Sequence, residues 1–163
     1  MRALLSHFTE REFRHGPFAL RLTDLHPSNI FVDDDWNIVP LIDLEWACSL
    51  PIQTLRPPYW STGCLADDLI GERLDNFTKA NDEFMKIFEE EEKPSPSKNG
   101  DPTYRTNIMR NGWKIGNFWY FQALDSPKGM CNIFRDHFSQ DLHLLMTMIQ
   151  ISHVLFQSTG LPR

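Results

Sequence analysis

Asp24, Asn29 and Asp43 are the residues of this chain whose types and placement could do chemistry. Each stands at the end of a short apolar run. Asp24 follows Phe18 to Thr23, Asn29 precedes Ile30-Phe31-Val32, and Asp43 follows Ile38-Val39-Pro40-Leu41-Ile42. Side-chain oxygens arranged in this way could converge on one metal-bound ligand, because a hard cation such as magnesium prefers oxygen donors and usually takes only one or two protein carboxylates. Taken singly, an Asp or Asn in a loop more often caps a turn or a strand end. The functional reading therefore depends on what brings the three together.

Three elements must do so. Phe18 to Thr23 reads as a strand, and Pro27 pushes His26 out of helical geometry, so Asp24 to Ser28 is expected as a loop. The runs at 30 to 32 and 38 to 42 flank Asp33-Asp34-Asp35-Trp36-Asn37, which predicts a hairpin with an acidic, solvated turn. In an antiparallel pair the start of one strand lies beside the end of the other, so Asn29 and Asp43 become neighbours. A calcium loop is not indicated at Asp33 to Asp35, which lack the alternating ligands, the glycine and the terminal glutamate of an EF-hand.

Upstream, Leu4, Leu5, Phe8 and Phe13 offer one-sided helical contacts before Gly16-Pro17. Downstream, Ser49 to Gly63 carries Pro51, Pro57, Pro58, Tyr59 and Trp60 and reads as an ordered loop. Phe77, Ala80, Phe84, Ile87 and Phe88 predict an amphipathic helix over about residues 75 to 92, with Glu89 to Glu92 as a solvated end. Residues 93 to 102 read as a mobile linker. Helical patterns follow at roughly 103 to 124, 129 to 138 and 140 to 157, the last with Ser139 as N-cap. The fold class is α+β, mainly helical, in one domain.

Composition narrows the function classes. With 163 residues, 41% apolar, including 12 Phe and 5 Trp, the chain can bury a real core. A net charge of -6 disfavours nucleic-acid binding, which needs clustered cations. No run reaches the roughly 20 apolar residues of a membrane span, and the N-terminal apolar stretch is too short for a signal peptide, so a cytoplasmic protein is expected. The three cysteines form no CxxC pair and read as reduced thiols. Cys48, His137, His143 and His153 share no ligand spacing. Ser152 and His153 are helical neighbours pointing in different directions, a poor nucleophile and base. The aromatic cluster from Trp113 to Phe121 reads as core.

The loop Leu22-Thr23-Asp24-Leu25-His26-Pro27-Ser28-Asn29, the hairpin Ile30 to Ile38 and the segment Ile42-Asp43-Leu44-Glu45-Trp46-Ala47 resemble the aminoglycoside phosphotransferase and choline kinase-like family. The likeness is greatest to the fungal aminoglycoside phosphotransferase-like proteins, and Pro57-Pro58-Tyr59-Trp60 adds a looser match. The resemblance covers about residues 17 to 63. It implies the C-terminal lobe of a protein-kinase-like fold with a short hairpin beside the catalytic loop, and Mg2+ and ATP as cofactors. Asp24 matches the catalytic aspartate that orients an acceptor hydroxyl and accepts its proton. Asn29 and Asp43, the former at the kinase-loop spacing from Asp24, match the residues that hold magnesium against the nucleotide phosphates.

By the same resemblance the acceptor is a small-molecule hydroxyl, and Trp46, Tyr59 and Trp60 could line its pocket. His26 either braces the loop or is an ordinary histidine; Glu45 either approaches the metals or orders its own loop. Leu22 and Thr23 stand where the family often has His and Gly. Residues 1 to 16 are expected as the remnant of an upstream segment, 17 to 63 as the site, and 64 to 163 as a helical subdomain. No glycine-rich nucleotide loop or phosphate-pairing lysine precedes the site, so the N-terminal lobe is expected to be absent and the chain alone weak or inactive. A non-catalytic kinase-like interaction protein or truncated pseudo-enzyme is the alternative. A metal-dependent phosphate hydrolase would need a further close-packed ligand set.

Overall fold

The computed structural model describes residues 4–93 and 100–138. The fold is α+β and mainly helical, with two small antiparallel sheets. After a single helical turn, α1 (Leu5–Phe8), come β1 (Phe18–Leu22), β2 (Ile30–Val32), β3 (Ile38–Leu41) and β4 (Ala47–Pro51). The helices α2 (Glu72–Glu92), α3 (Tyr104–Lys114) and α4 (Asn117–Asp125) follow, and residues 130–138 are again helical. The helix expected at 140 to 157, its N-cap Ser139, and His143, Ser152 and His153 lie outside the described residues.

The β2–β3 hairpin forms as the sequence predicts, with Ile30 opposite Leu41 and Val32 opposite Ile38. Its turn is closed by Asp33, whose Oδ1 accepts from the backbone N–H of Asp35 (3.0 Å) and of Asn37 (2.8 Å). These bonds favour the ionised carboxylate and hold its pKa below the ordinary value, the contacts to Asn37 counting most. A depressed carboxylate stabilises the turn fully above the ordinary aspartate range, and that contribution is lost as pH falls through the lowered value. Acid titration followed on the Asp33 carboxyl carbon by NMR is therefore expected to give a midpoint below that range; a midpoint within or above it would contradict this account of the turn.

The second pair was not legible. Residues 49 to 63 read as loop, yet Ala47–Pro51 is a strand that pairs with β1, Phe18 opposite Pro51 and Leu22 opposite Ala47. Only beyond it does the chain enter short turns, Ile52–Thr54 and Tyr59–Thr62. Arg21 on β1 faces the helical body. Burial pushes its pKa down to about 10, and Arg56 nearby adds to the fall. Arg56 ties the segment after β4 to α4 through Gln122 Oε1 (3.1 Å) and an ion pair with Asp125.

The core lies among the helices. Leu69, Phe77, Phe118, Tyr120 and Ile133 are at most 2% exposed, and full burial of each large apolar side chain contributes about 1.5–3 kcal/mol. Leu4 and Phe8 belong to this core, Phe8 stacking on Tyr120 at 5.0 Å. Leu5, expected to share that face, is 48% exposed. The aromatic cluster is core as expected, with Trp113, Phe118 and Trp119 in mutual contact.

Three further expectations are corrected. The buried stripe of α2 runs through Phe77, Asn81, Met85 and Glu92, whereas Ile87 is 62% exposed. Glu92 is not a solvated helix end. It is buried and accepts from the N–H groups of Arg105 (2.6 Å) and Thr106 (2.8 Å) and from Thr106 Oγ1 (2.6 Å), so the end of α2 caps the start of α3. The single helix expected over 103 to 124 breaks at Ile115-Gly116, where Gly116 has φ of 82° and an added Cβ would meet the Phe8 ring at 3.2 Å. A left-handed position pressed against an aromatic ring suits glycine alone. At the approach to α3, Asp101 Oδ1 accepts from the backbone N–H (2.8 Å) and the hydroxyl (2.9 Å) of Thr103.

Candidate active site

The site is built where the two strand pairs meet. β1 and β4 clamp the hairpin between them in sequence, so the segment that leaves β3 returns beside the loop that leaves β1. Past the last ladder pair, Thr23 extends the clamp: its N–H (3.4 Å) and its Oγ1 (2.8 Å) both donate to the carbonyl of Trp46. The next residue is Asp24. Asp24 thereby stands beside the segment from Asp43 to Trp46.

Asn29 is fixed from three sides. Its backbone N–H donates to His26 O (2.9 Å), closing the short turn Pro27–Asn29, and its carbonyl accepts from Ile42 N–H (3.1 Å). Its side-chain Nδ2 donates to the Asp24 carbonyl at 3.0 Å. Asn29 is 5% exposed, and with the amide nitrogen tied to the loop its Oδ1 is left without a protein donor among the described residues. The bond also fixes the backbone of Asp24 against the residue five positions on. This is the juxtaposition that the hairpin register predicts, with Ile42 touching Asn29 and Asp43 one residue beyond.

Asp43 takes the left-handed conformation, φ 57° and ψ 48°. Aspartate tolerates this region better than most residues, yet for a residue with a Cβ it costs on the order of 1 kcal/mol. The conformation turns the chain out of the hairpin and into the turn Leu44–Trp46. Asp24 and Asp43 line one narrow cleft, walled by Leu22, Leu25, Leu44 and Trp46. Both carboxylates are exposed and take no hydrogen bond or ion pair from the described residues.

The remaining expected residues divide. Trp46 lies at the cleft and is 60% exposed. His26 is half-buried and serves the loop through its carbonyl, and Glu45 is exposed within its own turn. Tyr59 packs against the hydrophobic core, and neither it nor Trp60 lines the cleft. Thr23 was missed as a positioning residue; the available signal was a hydroxyl at the strand end directly before Asp24. Leu25 and Leu44 were missed as walls, since an apolar residue in a loop carries no distinguishing mark.

The donor chemistry fits magnesium in a limited way. Asn29 and Asp43 supply an amide and a carboxylate oxygen, enough for an ion that keeps its other positions for water or phosphate. Among the described residues no three His, Cys, Asp or Glu side chains are grouped to hold a metal ion by themselves. Among them, too, no helix is long and apolar enough to cross a membrane. Set beside known proteins, the chain matches no family model, and no curated protein and no solved structure is significantly similar to it.

Proposed function

We propose that this chain is the C-terminal lobe of a kinase-like small-molecule phosphotransferase, carrying the base and the metal ligands for transfer of the ATP γ-phosphate to a hydroxyl. The observation that supports this most is the convergence of Asp24 and Asp43 on one cleft while Asn29 Nδ2 is bonded to the Asp24 backbone. Asp24 would accept the proton of the acceptor hydroxyl, a role worth about 10²- to 10⁴-fold in rate. Asn29 Oδ1 and the Asp43 carboxylate would hold magnesium, which when bound neutralises charge on the phosphates. Thr23 and the β1–β4 pairing would position the base beside the metal ligands. Trp46 would offer an apolar wall to the acceptor side.

Manganese, a paramagnetic stand-in for magnesium, tests the reading. It is expected to broaden the amide resonances around Asp24, Asn29 and Asp43. Asp24→Asn is expected to leave that broadening in place and to cut phosphate transfer by about 10²- to 10⁴-fold wherever transfer is measured. Broadening confined to Asp33 to Asp35 would remove the basis for the site. Since the cleft is narrow and these residues include no glycine-rich phosphate loop, Mg-ATP affinity by calorimetry is expected to be weak.

A second reading, a non-catalytic interaction protein, is favoured by a separate observation. The strand region exposes large apolar side chains, among them Leu20 at 74%, Trp36 at 83% and Val39 at 67%. Exposed apolar side chains mark a contact surface where they join into one patch. The manganese experiment separates the two, because an interaction role gives no reason for metal at Asp43.

A further inference from the structure

A second concavity lies between α2 and α3, built from none of the residues of the Asp24–Asp43 cleft. Its volume is about 310 Å³, at the lower end of the range of small-ligand sites, roughly 300–1,000 Å³. The floor is apolar. Met85 and Met109 are 5% and 3% exposed, and Trp113 closes one side. Methionine packs adaptably against flat rings, so a Met-Trp floor favours an aromatic body.

Two polar features interrupt that floor. Asn81 is 4% exposed, yet its Oδ1 has no hydrogen-bond partner. A buried amide oxygen left unpaired is costly and uncommon; it is sealed from solvent here, so a ligand O–H satisfies it only after a turn of the Asn81 amide toward the groove. At the rim stand Lys86, Arg110 and Lys114 against a single carboxylate, Asp82, on a chain whose net charge is -6. Arg110 is committed to Glu89 at 2.6 Å, whereas Lys86 and Lys114 are exposed and make no ion pair with the described residues. Asp82 lies one helical turn before Lys86 and tempers the positive charge of the rim.

We propose that the α2–α3 groove binds a small aromatic carboxylate bearing a hydroxyl: ring on Met85, Met109 and Trp113, hydroxyl to Asn81 Oδ1, carboxylate to Lys86 and Lys114. The assignment is independent of the phosphotransfer reading, and either can fail without the other.

The probes are hydroxynaphthoate, naphthoate, which lacks the hydroxyl, and naphthol, which lacks the carboxylate. Each is titrated into the full chain and followed by amide NMR and the Trp113 indole signal. Hydroxynaphthoate is expected to shift resonances of α2 and α3 and to bind about tenfold more tightly than either analogue, each of which forfeits one polar contact. The double charge reversal Lys86→Glu with Lys114→Glu, at two exposed positions, is expected to weaken hydroxynaphthoate about tenfold and to leave naphthol unchanged. Asn81→Leu is expected to erase the advantage of hydroxynaphthoate over naphthoate. The proposal is overturned by absent shifts, by shifts confined to the exposed strand region, or by an affinity that survives charge reversal.

Discussion

Replacing Asp43 with glycine is expected to abolish manganese binding at the cleft while leaving unfolding stability unchanged or raising it by up to about 1 kcal/mol. Loss of function with no loss of stability is the signature of a residue kept against local backbone preference. Asp43 sits at φ 57°, a region open to glycine without strain, and its side chain makes no bond to the described residues that glycine would forfeit. Asp43→Ala, in contrast, keeps the strain and loses the tolerance specific to aspartate, so it is expected to lose the metal and about 1 kcal/mol as well. Denaturant unfolding of both variants beside the manganese titration reads the two effects separately. An Asp43→Gly protein that still broadens the Asp24 and Asn29 resonances would falsify the assignment of Asp43 as a ligand.

Glu92→Ala is expected to be the most destabilising single change at a charged residue, by about 3 kcal/mol or more. The carboxylate accepts three hydrogen bonds at the start of α3, and Thr106, which donates two of them, is 0% exposed. Truncation leaves both Thr106 donors buried without an acceptor, and it also removes negative charge from a helix N-terminus, where charge is favourable. A falling urea midpoint with unchanged m-value checks this. Glu90→Ala or Glu91→Ala, at exposed neighbours on the same helix, is expected to shift stability by less than about 0.5 kcal/mol. If all three variants behaved alike, Glu92 would be no more than part of a charged helix end.

The contrast among these glutamates shows where sequence reading stops. Four consecutive carboxylates look alike in one dimension, and the helical period alone does not say which points at a neighbour. On α2 the apolar residues Phe84, Ile87 and Phe88 suggest one face. The buried stripe instead passes through Asn81 and Met85, because α3 and the turn Tyr59–Thr62 pack on that side. The break at Gly116 was similarly hidden: a lone glycine in a helical pattern costs only about 1 kcal/mol and is often tolerated. What makes it a break here is the Phe8 ring, which comes from the other end of the chain.

By itself the sequence determined the local parts of the site: the strand ending before Asp24, the loop set by Pro27, the acidic turn, and the hairpin that carries Ile42 to Asn29. These follow from short-range rules, turn chemistry and strand alternation, which act over a few residues. Only the tertiary structure decided that Ala47–Pro51 pairs with Phe18–Leu22, which brings Asp43 and Trp46 to the same cleft as Asp24. It alone selected Glu92 as a cap and left Asn81 buried in a groove. Pairings and burials of that kind depend on partners many residues away, whose contact energy overrides local propensity.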